Sequence, residues 1–123
     1  MLKAYQQIAQ EVSEAISSAL QIETEIVDDT MTIIAGTGKY KTLINMKEEN
    51  GEIEAGYLYG RVLQTDQSYF IEDARSDLSY DPSVSAGETE EMAELCTPIH
   101  YNGNVIGVIG LIAFNETQKK NAG

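Results

Sequence analysis

The segment from Cys96 to Asn115 constrains the fold more than any other part of the chain. It contains two apolar runs joined by Asn102-Gly103, a residue pair that accepts the positive φ angles of a type I′ hairpin turn. A two-residue loop also sets the strand register, which predicts that Cys96 faces Ile109. The other predicted pairs are Ile99 with Ile106, Pro98 with Gly107, and Glu94 with Leu111.

The second strand of this hairpin is apolar on both faces. Such a strand is typical of the middle of a sheet that has a layer of structure on each side. Gly107 and Gly110 lack side chains on opposite faces, which leaves room for a helix, a close backbone or a small ligand. One face carries Val105, Ile109 and Leu111, and the other carries Ile106, Val108, Ile112 and Phe114. We therefore expect this strand at the centre of an α+β domain.

The length and charge of the chain exclude several classes of function. A chain of 123 residues forms one domain, residues 1–123, with enough residues for a hydrophobic core. The formal net charge of −12 argues against direct contact with nucleic acid or an anionic membrane surface. The longest apolar run is too short to span a membrane, and the N-terminus lacks the apolar stretch of a signal peptide. We expect a cytoplasmic protein.

Apolar residues recur at helical spacing from Leu2 to Leu20, without Gly or Pro. This pattern predicts an amphipathic helix that packs on the sheet, pairs with a second copy of the chain, or does both. The apolar stripe consists of Tyr5, Ile8, Ala9, Val12, Ala15, Ile16, Ala19 and Leu20.

The rest of the chain completes an α+β pattern with a central antiparallel sheet of about five strands and helices packed on it. The predicted elements are a hairpin of Glu23–Asp28 and Met31–Ala35, a helix at about Ile53–Thr65, a strand at Ser68–Asp73 and a long loop at Ala74–Glu91. Asn115 and Gln118 resemble a capping box, so a last helix is expected to start there. Few residues follow, which predicts that the chain is a fragment of a longer protein.

The residues that usually carry chemistry form no catalytic or metal-binding motif. Gly36-Thr-Gly-Lys39 lacks the spacing of a phosphate-binding loop. Cys96 and His100 are the only cysteine and histidine, so no metal site and no cofactor are expected. The acidic residues interpreted as a solvated face are Glu88, Glu90, Glu91 and Glu94. We expect that the chain is not an enzyme and has no catalytic residues.

A small molecule could instead bind between the sheet and the loops at Gly36–Tyr40 and Ala74–Glu91. Backbone N–H groups of glycine turns can hold an anion, and a basic side chain would meet its charge. Tyrosines suit such a cavity because they combine apolar area with a hydroxyl group. The candidate ligand-binding residues are Thr37, Lys39, Tyr40, Tyr57, Arg75, Cys96 and His100.

Four blocks of the chain resemble the N-terminal GAF/PAS-like sensory domain of sigma-54-dependent transcriptional regulators. The blocks are Ile8-Ala-Gln-Glu-Val-Ser, the run from Glu25 to Tyr40, Gly56-Tyr-Leu-Tyr with Val-Leu-Gln-Thr, and the run from Glu94 to Phe114. The resemblance implies a sensory domain that binds a small molecule and controls a downstream ATPase and DNA-binding output. Similar regulators often carry several cysteines in the loop before the last hairpin. This chain has none there, so a cysteine-rich metal cluster or redox switch is not expected.

Two other classes of function stay open at this point. The first is a ligand-free dimerisation or autoinhibitory module, with a homodimer formed through the N-terminal helix. The second is an enzyme, because some proteins with the GAF fold reduce methionine sulfoxide with cysteine thiols. A disulfide-resolving cycle needs a second cysteine, which argues against the enzyme.

Overall fold

The computed structural model describes residues 1–84, 86 and 91–122. Its strands are β1 (Glu23–Asp28), β2 (Ile33–Gly36), β3 (Tyr69–Ile71), β4 (Ala93–Tyr101) and β5 (Asn104–Ala113). Its α-helices are α1 (Gln6–Leu20), α2 (Leu58–Thr65) and α3 (Glu116–Ala122). The strands form one antiparallel sheet in the order β2-β1-β5-β4-β3. The expected α+β class with a five-stranded sheet is confirmed.

Strand β5 occupies the middle of the sheet, as predicted from its two apolar faces. On the face covered by α2, Val108 and Ile112 are fully buried. On the opposite face, Ile109 and Leu111 are only half-buried. The difference arises because α1 packs mainly on β1 and β2, to one side of the central strand. The sheet is therefore covered more completely on its α2 face.

The register of the β4–β5 hairpin is correct at the turn and shifts by one residue beyond it. His100 pairs with Val105, as the two-residue loop requires. An irregularity next to His100 then adds one residue to β5, so Cys96 pairs with Gly110 instead of Ile109. A β-bulge of this kind cannot be read from the turn residues. The other predicted pairs are corrected to Ile99 with Gly107, Pro98 with Val108, and Glu94 with Ile112.

The two glycines of β5 lie on opposite faces, and protein groups occupy the space that each one leaves. A Cβ atom on Gly107 would lie 2.5 Å from Cδ1 of Leu2 and 2.4 Å from the carbonyl oxygen of Val27. A Cβ atom on Gly110 would lie 2.0 Å from the hydroxyl oxygen of Tyr59 in α2. Both neighbours therefore approach the backbone of β5 closely because no side chain stands between them.

Helix α1 packs on the sheet with a partly polar face. Ala9 and Ser13 are its buried residues. The Gln10 side chain accepts a hydrogen bond from the Gly36 N–H (2.9 Å) and donates one to the Gly36 carbonyl (2.8 Å). The large apolar side chains of α1 and its N-terminal turn that stay exposed are Tyr5, Ile8, Val12 and Leu20. Most of the predicted apolar stripe therefore faces away from the sheet.

The other predicted elements are present: β1 has the predicted bounds, β2 is shifted toward Gly36, and β3 is shorter than predicted. The predicted helix at Ile53–Thr65 divides into a 3-10 turn at Ile53–Ala55 and α2, because Gly56 between them has a φ of +90°. The Asn115 side chain accepts a hydrogen bond from the Gln118 N–H at 2.9 Å, which confirms the predicted start of α3. Among the described residues, no helix combines the length and apolar character needed to cross a membrane.

We expect Gly110→Ala to lower the free energy of unfolding by roughly 1–3 kcal/mol, the usual cost of adding a methyl group to a packed site. The new Cβ would overlap the Tyr59 hydroxyl. The same substitution should cost less in a Tyr59→Phe background, which lacks that oxygen. Urea unfolding of the four proteins gives both costs, and equal costs in the two backgrounds would contradict the contact.

Candidate functional site

Five buried glutamates line a cavity of about 10 Å³ on the α2 face of the sheet. Glutamate side chains are seldom buried without a charged partner, so the cluster is unusual. A cavity of this size holds about one water-sized group. The glutamates are Glu25, Glu48, Glu49, Glu91 and Glu94, and Leu58, Tyr59 and Tyr80 complete the lining. We call this cavity and its five glutamates the carboxylate pocket.

Strand alternation directs two of these glutamates into the domain. Glu25 lies opposite Gly110 in the β1–β5 ladder. Glu94 precedes Cys96 by two residues in β4, and Cys96 is the other neighbour of Gly110. Because alternate residues of a strand share a face, Glu94 and Cys96 point to the same side. The missing side chain of Gly110 leaves the space in which the Tyr59 hydroxyl and the Glu94 carboxyl meet.

Two tyrosine hydroxyls hold the carboxyl groups in place. The Tyr59 hydroxyl donates to Oε1 of Glu25 at 2.9 Å and also contacts Oε2 of Glu94. The Tyr40 hydroxyl donates to Oε2 of Glu91. A hydroxyl carries one proton, so Tyr59 can donate to only one of its two neighbours at a time. The second contact is a hydrogen bond only when that carboxyl carries a proton itself.

Two carboxylate oxygens in the pocket have no hydrogen-bond partner among the described residues. They are Oε2 of Glu25 and Oε1 of Glu91. Both side chains are almost completely buried, at 0% and 6% exposure. A buried acceptor without a donor costs about 1–3 kcal/mol. Glu25 lies within hydrogen-bond reach of Glu48, and Glu91 within reach of Glu94, so a proton held between two carboxyls can satisfy an acceptor here. A hydrogen-bond donor or a cation bound in the pocket can do the same.

Burial, together with nearby negative charge, raises the pKa of several of the pocket carboxyls. Burial raises the pKa of Glu25 and of Glu94 well above the usual value. The nearby charges of Glu48 and Glu91 raise the pKa of Glu25 further, and the charge of Glu91 does so for Glu94. Burial also raises the pKa of Glu91. In the described part of the chain, the ion pairs are Arg75 with Asp73 and His100 with Asp66, both at the surface. Neither of these ion pairs brings a basic side chain into the pocket to balance its negative charge.

Glu49 caps the N-terminus of α2 from outside the helix. Its two oxygens accept hydrogen bonds from the N–H groups of Tyr59 (2.7 Å) and Gly60 (3.0 Å). Burial raises the pKa of Glu49 to about 7, although these two hydrogen bonds act in the opposite direction. Glu48 is also fixed by the backbone, because its Oε1 accepts from the N–H of Ala86 at 2.6 Å.

Of the seven candidate ligand-binding residues, the structure brings Tyr40 to the pocket through its hydroxyl and places Cys96 in the adjoining core. Burial raises the pKa of the Cys96 thiol to about 12. The other five lie outside the pocket. Thr37 accepts a hydrogen bond from the backbone N–H of Thr24, and Lys39 lies over the Phe114 ring. Tyr57 precedes α2, and Arg75 and His100 are exposed.

The prediction of a solvated acidic face is wrong for Glu91 and Glu94, which are buried in the pocket. Glu88 and Glu90 lie outside the described residues. Sequence reasoning also missed Glu25, Glu48 and Glu49. One signal was available for Glu25, which stands inside a predicted strand next to apolar residues. Glu94 also stands inside a predicted strand, but the predicted register paired it with Leu111, and only the bulge next to His100 brings it to the face of Gly110.

We expect the domain to be less stable at pH 8 than at pH 5. The folded-state pKa of Glu49, about 7, lies above its usual value of 4.5. Its contribution to the free energy of unfolding is therefore fully present below about pH 4.5 and is lost as the pH rises through 7. This difference corresponds to about 3 kcal/mol. Glu25, Glu91 and Glu94 shift in the same direction.

Urea unfolding across this pH range, in buffer with EDTA, measures the effect. Glu49→Gln should flatten the dependence of stability on pH, because the amide cannot ionise. Glu72→Gln, at an exposed position, should leave it unchanged. A domain that gains stability between pH 5 and pH 8 would contradict the raised pKa values.

Comparison with known proteins identifies the family. The GAF domain model matches residues 3–120. The chain is 30% identical over 120 residues to the "Putative uric acid sigma-54-dependent transcriptional regulator UacR" of Escherichia coli (strain K12). That match covers 98% of this chain and 20% of the relative, so the chain spans about a fifth of the length of the curated relative.

Solved structures show the same fold at low sequence identity. The GAF domain of a phosphoenolpyruvate-protein phosphotransferase from Coxiella burnetii has a TM-score of 0.70 at 17% identity, with 95% of this chain and 74% of that chain covered. The nlh2 GAF domain of A. aeolicus has a TM-score of 0.68 at 19% identity, with 96% and 74% covered. The type II free methionine-R-sulfoxide reductase of Thermoplasma acidophilum has a TM-score of 0.67 at 16% identity, with 99% and 86% covered. These findings confirm the resemblance seen in the sequence, and the chain belongs to the GAF domain family.

Proposed function

We propose that this domain is the signal-sensing input of a sigma-54-dependent transcriptional regulator and that its signal is a small ligand bound in the carboxylate pocket. The observation that carries the proposal is the pair of buried oxygens, on Glu25 and Glu91, that have no hydrogen-bond partner among the described residues. A ligand that donates to them would offset the cost of burying them. The similarity to the Escherichia coli regulator supports a role in transcription control. The domain would act in the cytoplasm, upstream of an ATPase and DNA-binding output.

The chemistry of the pocket favours a cation or a ligand rich in N–H donors. Its free groups are carboxylate oxygens, which accept hydrogen bonds and repel anions. The name of the Escherichia coli relative suggests uric acid as a ligand to test. Urate is an anion at neutral pH, so its binding here would require additional protons on the carboxyls. Neutral purine bases and organic cations match the charge of the pocket better, and a cavity of about 10 Å³ would have to open to admit them.

Tyr40 connects the pocket to both terminal helices. Its hydroxyl contacts Glu91, and its ring centroid lies 5.9 Å from that of Phe114, just before α3. Its Cβ packs so closely on Gly36 that a Cβ there would lie 2.5 Å away. Gln10 of α1 holds the backbone of Gly36 through two hydrogen bonds. A ligand that moves Tyr40 would therefore act on α1 and α3 together, provided that it binds one arrangement more tightly.

The state of Cys96 supports a binding function over thiol chemistry. The thiol is fully buried, and its pKa of about 12 keeps it protonated at neutral pH. A nucleophilic cysteine needs a thiolate and access to its substrate. Cys96 is also the only cysteine in the chain. We therefore propose that the domain is not an enzyme.

We further propose that α1 pairs with α1 of a second copy. The exposed side chains of Tyr5, Ile8 and Val12 form an apolar row at spacings of three and four residues. Rows with this spacing pack well against an identical helix. Val12 is 45% exposed and Ile8 is 58% exposed in the single chain, and pairing would remove that apolar area from water.

Thermal unfolding with candidate ligands tests the sensory proposal. Hypoxanthine, agmatine and spermidine represent N–H-rich neutral or cationic compounds, and urate represents the anion. We expect at least one of the first three to raise the Tm, since a ligand at 100 times its Kd adds about 2.7 kcal/mol. Glu94→Gln should weaken the response, whereas Glu72→Gln should retain it. No response in the wild-type domain, or equal responses in both variants, would contradict the proposal.

Light scattering after size-exclusion chromatography tests the homodimer. Wild-type protein should elute as a dimer, and Val12→Glu should produce monomers because it places charge within the apolar row. Gln7→Glu adds the same charge at an exposed polar position and should remain dimeric. Wild-type protein that is monomeric at all concentrations, or a Val12→Glu variant that stays dimeric, would exclude pairing through this row.

A further inference from the structure

We propose that Glu25, Glu91 and Glu94 hold one divalent metal ion that prefers oxygen ligands, such as Ca²⁺ or Mn²⁺. This inference rests on the proposed ligand-binding function of the carboxylate pocket and names the class of its ligand. One carboxylate oxygen from each of the three side chains lies within 4.8 Å of the other two. All three residues are buried on the α2 face of the sheet.

The spacing of these oxygens suits a single ion. Ca²⁺ binds oxygen at 2.3–2.6 Å, so two ligands on opposite sides of the ion are about 4.6–5.2 Å apart. Three oxygens within 4.8 Å of one another can therefore share one ion with little movement of the backbone. The cavity of about 10 Å³ fits an ion or a water molecule, and an organic molecule would have to open the pocket.

The hydrogen bonds of the pocket separate these three glutamates from the other two. Both oxygens of Glu49 are engaged by backbone N–H groups of α2. Oε1 of Glu48 accepts from the backbone of residue 86. By contrast, Glu25 and Glu91 each keep one buried oxygen without a partner among the described residues. The two glutamates that keep a free buried oxygen therefore both belong to the set with the correct spacing.

The surrounding groups fit a metal site as well. The hydroxyls of Tyr59 and Tyr40 contact the same carboxyl groups, and would orient them as outer partners often orient metal ligands. A divalent cation would also neutralise the buried negative charge. Within the described residues, the paired basic side chains Arg75 and His100 lie at the surface and do not serve this purpose.

Titration of EDTA-treated protein with Mn²⁺, followed by electron paramagnetic resonance of the free ion, tests the site. We expect one Mn²⁺ bound per chain and competition by Ca²⁺. Glu25→Gln, Glu91→Gln and Glu94→Gln should each weaken binding at least tenfold, because each removes one charged ligand. Glu72→Gln is the matched surface control and should bind as the wild type does. Circular dichroism confirms that each variant is folded.

Luminescence of Tb³⁺, which resembles Ca²⁺, gives a second readout. The chain has no tryptophan, so excitation at the tyrosine band should sensitise the ion through Tyr40 and Tyr59. Tyr59→Phe should reduce this emission by at least half while the fold is retained. If neither Tyr59→Phe nor Glu94→Gln changes the emission, the ion binds outside the carboxylate pocket and the inference is wrong.

Two results separate the metal from the broader proposal. If neither Mn²⁺ nor Ca²⁺ binds the folded protein up to millimolar concentration, the metal inference is wrong. If hypoxanthine, agmatine or spermidine then stabilises the wild type but not Glu94→Gln, the sensory proposal still holds. If neither the ions nor these compounds bind, both proposals fail.

Discussion

The burial of several carboxyl groups beside the central strand is the constraint on which the rest of this domain depends. Gly110 makes it sterically feasible, because the space of its missing side chain holds the Tyr59 hydroxyl and the Glu94 carboxyl. Tyr59 in turn fixes Glu25, and its backbone N–H is held by Glu49. The missing side chain of one glycine in β5 thus makes room both for a hydroxyl group of α2 and for a buried carboxyl group. Burying charge without basic partners is costly, so this arrangement lowers the free energy of unfolding of the domain.

The sequence was informative where local chemistry decides the structure. The central position of β5 followed from its two apolar faces, and the opposite orientations of Gly107 and Gly110 followed from strand alternation. The start of α3 followed from the side chain of Asn115. The register beyond His100 could not be obtained in this way, because a bulge depends on packing across the whole sheet. The exposed apolar row of α1 was also ambiguous, since an amphipathic pattern does not specify which surface covers it.

The carboxylate pocket was missed for a different reason. An acidic side chain in a chain of net charge −12 is ordinarily a surface residue, and that prior is correct for most of the acidic residues that the structure describes. The exceptions come from separate parts of the chain, Glu25 in β1, Glu49 in a turn and Glu94 in β4, and only the tertiary fold brings them together. Positions where a reliable local rule fails are often functional, because a fold retains such a cost only when something else offsets it.

A site that gathers several buried carboxyl groups is well suited to a sensor. Neutralising the pocket, with a cation or with hydrogen-bond donors, stabilises only the arrangement in which the carboxyls converge, and a ligand shifts an equilibrium by its difference in affinity for the two states. The wall of this pocket includes the hydroxyl of Tyr40, whose ring and Cβ contact Phe114 and Gly36. Phe114 lies two residues before the start of α3, and Gly36 is hydrogen-bonded to Gln10 of α1. Tyr40 therefore lies between the pocket and the two residues next to the terminal helices. Under the proposed function, a change at the site would reach both helices through this one side chain.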